Sequence, residues 1–241
     1  MPKMKTIAII FAGGTGQRMT HATKPKQFLK VDGKPILIYT LEQFQTHPGI
    51  DGIILVCVEG WIDYAEKLIR RYELNKVEAV LPGGSNGHQS RIIGLEKARE
   101  LYGECLVLVH DGVRPLIDHA TISKCIEDVA QYGSAVVGTP AVETIAKKNE
   151  DGTCLIIPRE QCSMLRAPQC FRLGEILELI DRTRQDGITD FIDCATIMQH
   201  YGKQVHLVDG PAENIKITTP LDYFMFKGIM EIRNNKEVFG I

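Results

Sequence analysis

The sequence predicts an α/β fold, a mainly parallel mixed sheet with helices on both faces. Three observations carry that expectation. Short runs rich in Ile, Val and Leu alternate with segments whose apolar residues recur at helical spacing. A glycine-rich turn follows the first of those runs directly. The 241 residues, 44% of them hydrophobic, suffice for one α/β domain with a sizeable core.

Residues 7–11 read as the first strand. Residues 36–46 follow as a helix, with Ile36, Leu37, Leu41 and Phe44 on one face. Residues 52–58 give the next strand and 62–72 the next helix. A strand at 77–81 leads into the loop Pro82-Gly83-Gly84-Ser85-Asn86-Gly87 and a helix from about 90 to 102. The strand at 106–110 ends in Asp111-Gly112-Val113-Arg114-Pro115, and a helix from about 119 to 132 precedes a strand at 134–139. This alternation makes βαβ units. Helices are expected again at 173–186 and 193–201, and late strands at 204–208 and 215–217.

Between about 140 and 171 the rhythm changes. Residues 143–148 and 154–158 read as two short strands around Asn149-Glu150-Asp151-Gly152. Such a hairpin is too small to stabilise itself. The expected organisation is one domain over residues 1–241, with a protruding β-hairpin arm at about 141–160 that packs on a second subunit.

Composition excludes several function classes. Twenty-eight basic against thirty acidic residues give a net charge of −2, so no global field attracts nucleic acid or an anionic membrane. The apolar runs are too short to cross a bilayer. The apolar stretch near the start runs into a glycine loop with no small-residue cleavage pattern, so it reads as a core strand rather than a signal peptide. Seven cysteines, an odd number with no C-x-x-C pair, fit reduced thiols and a cytoplasmic setting.

The richest stretch is Ala12-Gly13-Gly14-Thr15-Gly16-Gln17-Arg18-Met19. Glycines at a strand's carboxyl end let backbone N–H groups approach phosphate oxygens. The spacing matches neither a dinucleotide fingerprint nor a P-loop. Arg18, then Lys24-Pro25-Lys26-Gln27-Phe28, puts cations beside that turn. Nucleotidyl transfer asks the protein mainly to position reactants and offset growing negative charge, and these residues suit that task. Asp111 closes an apolar strand at the edge where open α/β sheets place ligands, and a turn cap is its ordinary alternative. Arg114 offers a planar fork to a phosphate, or a partner to a surface acid. Lys216, between Ile215 and Ile217, reads locally as the solvent face of a strand. His110 reads as a packed strand residue, not a base.

A-G-G-T-G-Q-R-M followed by K-P-K-Q-F resembles the signature of the 2-C-methyl-D-erythritol 4-phosphate cytidylyltransferases and of the related ribitol-5-phosphate cytidylyltransferases. The likeness continues in His110-Asp111-Gly112-Val113-Arg114-Pro115, Glu143-Thr144-Ile145, Ala167-Pro168-Gln169, Thr189-Asp190 and Asn214-Ile215-Lys216-Ile217-Thr218. Gly13 and the Asp-Gly-Val-Arg-Pro form look more like the ribitol-phosphate branch.

The resemblance implies a Rossmann-like fold, a homodimer exchanging hairpin arms, and Mg2+ or another divalent cation. Arg18, Lys26 and Lys216 would be catalytic. Ala12, Gly13, Gly14, Thr15, Gly16, Gly84, Ser85, Ser90 and Gly112 would hold CTP. Asp111, Arg114, Thr144, Arg159 and Thr189 would form the polyol-phosphate site, some from the partner subunit. Asp111 is also the candidate metal ligand, with the metal held mostly by phosphates.

Three positions depart from the family pattern: Gly87 replaces an arginine, Ala167 a threonine, and Glu143 an aspartate. Arg166, beside Ala167, would supply a replacement contact. The expected reaction is therefore CMP transfer from CTP to a sugar-alcohol phosphate, ribitol 5-phosphate first. Methylerythritol 4-phosphate is the second acceptor. A sugar-1-phosphate nucleotidylyltransferase and a non-catalytic nucleotide-binding subunit are the competing readings.

Overall fold

The computed structural model describes residues 4–14, 24–189 and 191–235. In chain order its elements are β1 (Thr6–Ala12), β2 (Lys30–Val31), β3 (Lys34–Pro35), α1 (Ile36–Gln45), β4 (Gly52–Cys57), α2 (Ile62–Arg71), β5 (Val77–Pro82), α3 (Gly87–Tyr102) and β6 (Leu106–Asp111). Then come α4 (His119–Tyr132), β7 (Ser134–Pro140), β8 (Ile145–Lys148), β9 (Cys154–Ile157), β10 (Ser163–Arg172), α5 (Leu173–Gln185), α6 (Cys194–His200), β11 (Leu207–Asp209) and α7 (Pro220–Asn234).

Seven strands form one sheet in the order β11-β7-β10-β6-β1-β4-β5. Pairing is parallel for β1 with β4 and β6, β4 with β5, and β7 with β11, whereas β10 runs antiparallel to both β6 and β7. Strands buried on both faces explain the unbroken apolar runs. Along β1, Ala8, Ile10 and Ala12 join the layer under α1, α2 and α4, while Ile7 and Ile9 join the layer under α3, α5 and α6. This period-2 division puts β1 at the centre of two cores. A smaller cluster of Val31, Ile36, Val113, Leu116, Ile217 and Phe226 fastens α7 beside the carboxyl edge of the sheet.

Two local expectations fail. Residues 215–217 are not a strand; Ile217 is buried and donates its N–H to the Val113 carbonyl at 2.9 Å, which fixes an irregular segment. β10 is a long strand that the sequence reading passed over, because Pro168 interrupts it. Its pairing with β7 shifts register between Leu165 and Gln169 to accommodate that interruption. The β8–β9 hairpin forms a separate two-stranded sheet, with Ile145 opposite Ile157 and Leu155 and Ile156 exposed in the single chain.

Candidate active site

The glycine turn is held from behind by the segment that follows it. Gln27 is buried, and its Nε2 donates to the Ala12 carbonyl at 2.5 Å and to the Gly14 carbonyl at 3.5 Å. Phe28, also buried, stacks on Trp61 with ring centroids 5.0 Å apart. With its two neighbours turned inward, Lys26 is left on the wall of the cleft beside Gly13 and Gly14.

A second loop forms the opposite wall. The Ser90 hydroxyl donates to the Asn86 carbonyl at 2.9 Å and accepts the Gly84 N–H at 3.1 Å. Gln89 Oε1 accepts from both the N–H and the hydroxyl of Ser85. A Cβ on Gly84 would come within 2.5 Å of the Gln89 side chain, so this fold of the loop requires glycine there. Asn86 caps α3 by accepting the Gln89 N–H at 2.8 Å. The amino end of α3 thus faces the cleft, where its dipole favours an anion.

At the end of β6 the charges converge. Asp111 Oδ1 accepts from Lys216 Nζ at 2.7 Å, and Oδ2 from Arg114 Nε at 2.8 Å. Arg114 also donates to the Asn214 carbonyl at 2.9 Å, while Asn214 Nδ2 donates to the Ala167 carbonyl at 2.7 Å. The irregular segment around Ile217 therefore presents Lys216 to Asp111 from across the cleft. Burial works to raise the Asp111 pKa, but the Lys216 ammonium and the Arg114 guanidinium outweigh it and hold the carboxyl well below its usual range. His110, fully buried, has its pKa lowered to about 4 by desolvation and stays neutral, its Nε2 against the Arg114 carbonyl at 3.1 Å. It is a packed residue, as its place in the strand predicts.

Two cavities meet over this cluster. The larger, about 440 Å3, lies between the two glycine loops and reaches Thr218. The smaller, about 250 Å3, is bounded by β10 and carries Arg114, Arg166, Ala167, Gln169 and Asp193. Phe11, Arg91, Asp111 and Lys216 line both. The arrangement can hold an extended polyanion in the larger half and a small anion in the other, with cations at the junction.

Most expected residues gather here: Ala12, Gly13, Gly14, Lys26, Gly84, Ser85, Ser90, Asp111 and Lys216 line the larger half, and Arg114 the smaller. Thr15, Gly16 and Arg18 lie outside the described residues. Four others are not brought to the cleft. Gly112 is buried beneath it, its N–H bonded to the Phe11 carbonyl and its carbonyl to the Thr40 hydroxyl. A Cβ there would meet Phe11 O at 2.9 Å, so the close packing of this turn requires glycine. Thr189 is exposed on the far side of α3, near His88 and Arg184. Thr144 and Arg159 are exposed on the arm, with Arg159 bonded to the Val142 carbonyl.

Arg91 stands in no sequence motif, and Gln27, Gln169 and Thr218 stand inside the quoted motifs without an assigned role. Arg91 reads as an ordinary surface residue of an amphipathic helix. Gln27 sits inside a recognised motif but carries no charge to draw notice. Thr218 is oriented by Asp222, whose Oδ2 accepts its N–H and hydroxyl, and the Thr219-Pro220-Leu221-Asp222 capping box was the available signal.

The described donor set holds one candidate metal ligand, Asp111. Among the described residues no group of three His, Cys, Asp or Glu could hold a metal ion, and both oxygens of Asp111 already face cations.

The sequence profile of the family described as "IspD: 2-C-methyl-D-erythritol 4-phosphate cytidylyltransferase" matches residues 6–232. A ribitol-5-phosphate cytidylyltransferase of Vibrio parahaemolyticus is 46% identical over 236 residues, covering 97% of this chain and 99% of that protein. A 2-C-methyl-D-erythritol 4-phosphate cytidylyltransferase of Clostridium botulinum is 37% identical over 229 residues, covering 94% and 98%. Among solved structures, 4-diphosphocytidyl-2C-methyl-D-erythritol synthase of Anaerococcus prevotii superposes with a TM-score of 0.82 at 25% identity, covering 95% of this chain and 99% of that one.

Proposed function

The chain belongs to the IspD family of cytidylyltransferases, and we propose that it transfers CMP from CTP to ribitol 5-phosphate with release of pyrophosphate. The observation that carries this reading is the Lys216–Asp111–Arg114 chain at the seam of a two-part cleft. The triphosphate would lie along the glycine turn and the amino end of α3, with Lys26 beside it. The polyol phosphate would occupy the smaller half.

One oxygen of the acceptor phosphate attacks the α-phosphorus of CTP. The bond to the bridging oxygen between the α- and β-phosphorus breaks, and its electron pair leaves with pyrophosphate. The acceptor is already an anion at neutral pH, so no side chain has to remove a proton, which suits a cleft whose only histidine among the described residues is buried and neutral. Lys26, Lys216 and Arg18 offset the charge that grows on the α-phosphoryl oxygens. Asp111 holds Lys216 and Arg114 in place and retains lone pairs for a polyol hydroxyl. Mg2+ would enter with the triphosphate and be held by it, supplying charge neutralisation there.

Thr144 and Arg159 fit the same reading if two chains exchange arms, each arm carrying these residues to the partner's acceptor half. The exposed Leu155 and Ile156 support a homodimer of this kind. A cytoplasmic setting, where CTP is made, agrees with the free thiols of the described chain.

The test is pyrophosphate release with CTP or UTP and a panel of polyol phosphates. Relatives named for ribitol 5-phosphate stand at 43–46% identity and those named for methylerythritol phosphate at 37–38%, so ribitol 5-phosphate is expected to give the higher kcat/KM. A higher value for methylerythritol 4-phosphate would move the protein to the second acceptor. No release with either would leave the non-catalytic reading standing.

A further inference from the structure

We propose that Arg91 binds the phosphate of the acceptor at the seam of the cleft, an assignment that rests on the cytidylyl-transfer reading above. Arg91 lies one helical turn after Gly87, on the face of α3 that opens to both halves. At Gly87 there is no side chain, and a Cβ built there would have only Arg91 Nη1 within 4 Å, at 3.9 Å. The guanidinium therefore occupies space that a residue at 87 would otherwise fill.

Its geometry is fixed without neutralising its charge. Nη2 donates to the carbonyls of Phe191 and Ile192, each at 2.8 Å. Nε is buried and has no partner. Among the described residues no carboxylate pairs with it. The acids of the smaller cavity are committed elsewhere, Asp111 to Lys216 and Arg114, and Asp193 to Gln169 and the Thr196 N–H. A planar cation held by neutral carbonyls through Nη2 keeps its charge uncompensated and Nη1 on the side of Gly87, an arrangement matched to a phosphate.

The acceptor phosphate is the better candidate than the triphosphate. Arg91 shares the smaller cavity with Arg114 and Arg166, and the oxygen that attacks must sit at the seam that Arg91 lines. The sequence gives Arg91 no motif, so only the folded helix shows where its charge falls.

The experiment compares Arg91→Gln, which can still donate to the carbonyls, with Arg91→Lys, which keeps the charge. Arg91→Gln should raise the KM for ribitol 5-phosphate about 10- to 100-fold and leave that for CTP within about threefold. Arg91→Lys, which keeps the charge but not the planar fork, should raise the KM for ribitol 5-phosphate less than Arg91→Gln does and leave that for CTP within about threefold. Gly87→Arg placed in the Arg91→Gln background should recover acceptor affinity, because the new side chain enters the vacated space.

A rise confined to the KM for CTP would assign Arg91 to the triphosphate and overturn the proposal. Equal effects of Gln and Lys would reduce Arg91 to a prop for the 191–192 carbonyls. In the wild-type enzyme holding a non-hydrolysable CTP analogue, adding ribitol 5-phosphate should shift the Arg91 Nε–H NMR signal. An unmoved signal at saturation contradicts the proposal even where the variants fail to fold. Wild-type protein inactive on every polyol phosphate would refute the proposed reaction instead, which separates the two failures.

Discussion

Lys216 Nζ and Asp111 Oδ1 stand 2.7 Å apart where the two halves of the cleft meet, although 105 positions of sequence separate them. Asp111 also holds Arg114, so one carboxylate sets the position of two cations. Asp111→Asn should retain the fold and lose this alignment. Hydrogen bonds to charged groups contribute about 1.5–3 kcal/mol, so a 10- to 100-fold fall in kcat/KM for ribitol 5-phosphate is expected. Steady-state kinetics at saturating CTP would read it, and an unchanged value would remove the carboxylate from the site's function.

Lys26→Ala should reduce kcat by about 10²–10³-fold at saturating CTP, the scale for losing one electrostatic contact to a transition state. Gln27 and Phe28, buried on either side of the glycine turn's support, keep the segment folded, so the thermal transition should move little. Arg18→Ala should behave alike. Near-wild-type turnover in both variants would place the chemistry elsewhere.

The buried His110 links the site to acid stability. Burial lowers its pKa from 6.5 to about 4, so the unfolded chain binds a proton that the folded chain refuses between those values. The stabilisation is complete above about pH 6.5 and is lost as pH falls toward 4, roughly 3 kcal/mol across the window. Asp111, held below its ordinary 3.8, acts only at lower pH, where its contribution is lost on further acidification. Denaturant melts of wild type and His110→Gln should therefore diverge in slope from pH 6.5 to 4. Parallel curves would show that His110 is not the group responsible.

The arm predicts an oligomeric state. Leu155 and Ile156 are exposed by 60% and 57% in the single chain, on a hairpin with nothing of its own to cover them. The native protein should run at twice the 26.9 kDa chain mass, and Leu155→Asp with Ile156→Asp should give a folded monomer with weakened acceptor use. A wild-type monomer of full activity would contradict arm exchange.

The frame of the fold was legible because β1, β4 and β6 are buried on both faces and their apolar runs are unbroken. β10 was not, because Pro168 lies inside it, and 215–217 looked like a strand because Ile215 and Ile217 alternate with Lys216. The real cause of that alternation is a single buried anchor, Ile217, bonded to Val113. In the site, motif residues beside β1 and β6 were readable from their place at the sheet edge. The packing of Gly112 on Phe11, where a Cβ would meet the Phe11 carbonyl oxygen at 2.9 Å, is stated by no local sequence pattern. Arg91 was invisible because its place depends on α3 beginning at the cleft, which no local pattern states.

Cytidylyl transfer at the Asp111–Lys216 seam requires an oxygen of the acceptor phosphate to attack the α-phosphorus of CTP. Ribitol 5-phosphate carrying heavy oxygen in its phosphate, incubated with CTP, Mg2+ and enzyme, tests it directly by mass spectrometry of both products. Attack by that oxygen gives CDP-ribitol with the label retained, including at the new phosphorus–oxygen–phosphorus bridge, and unlabelled pyrophosphate. Label in pyrophosphate, or CMP formed without CDP-ribitol, would contradict it.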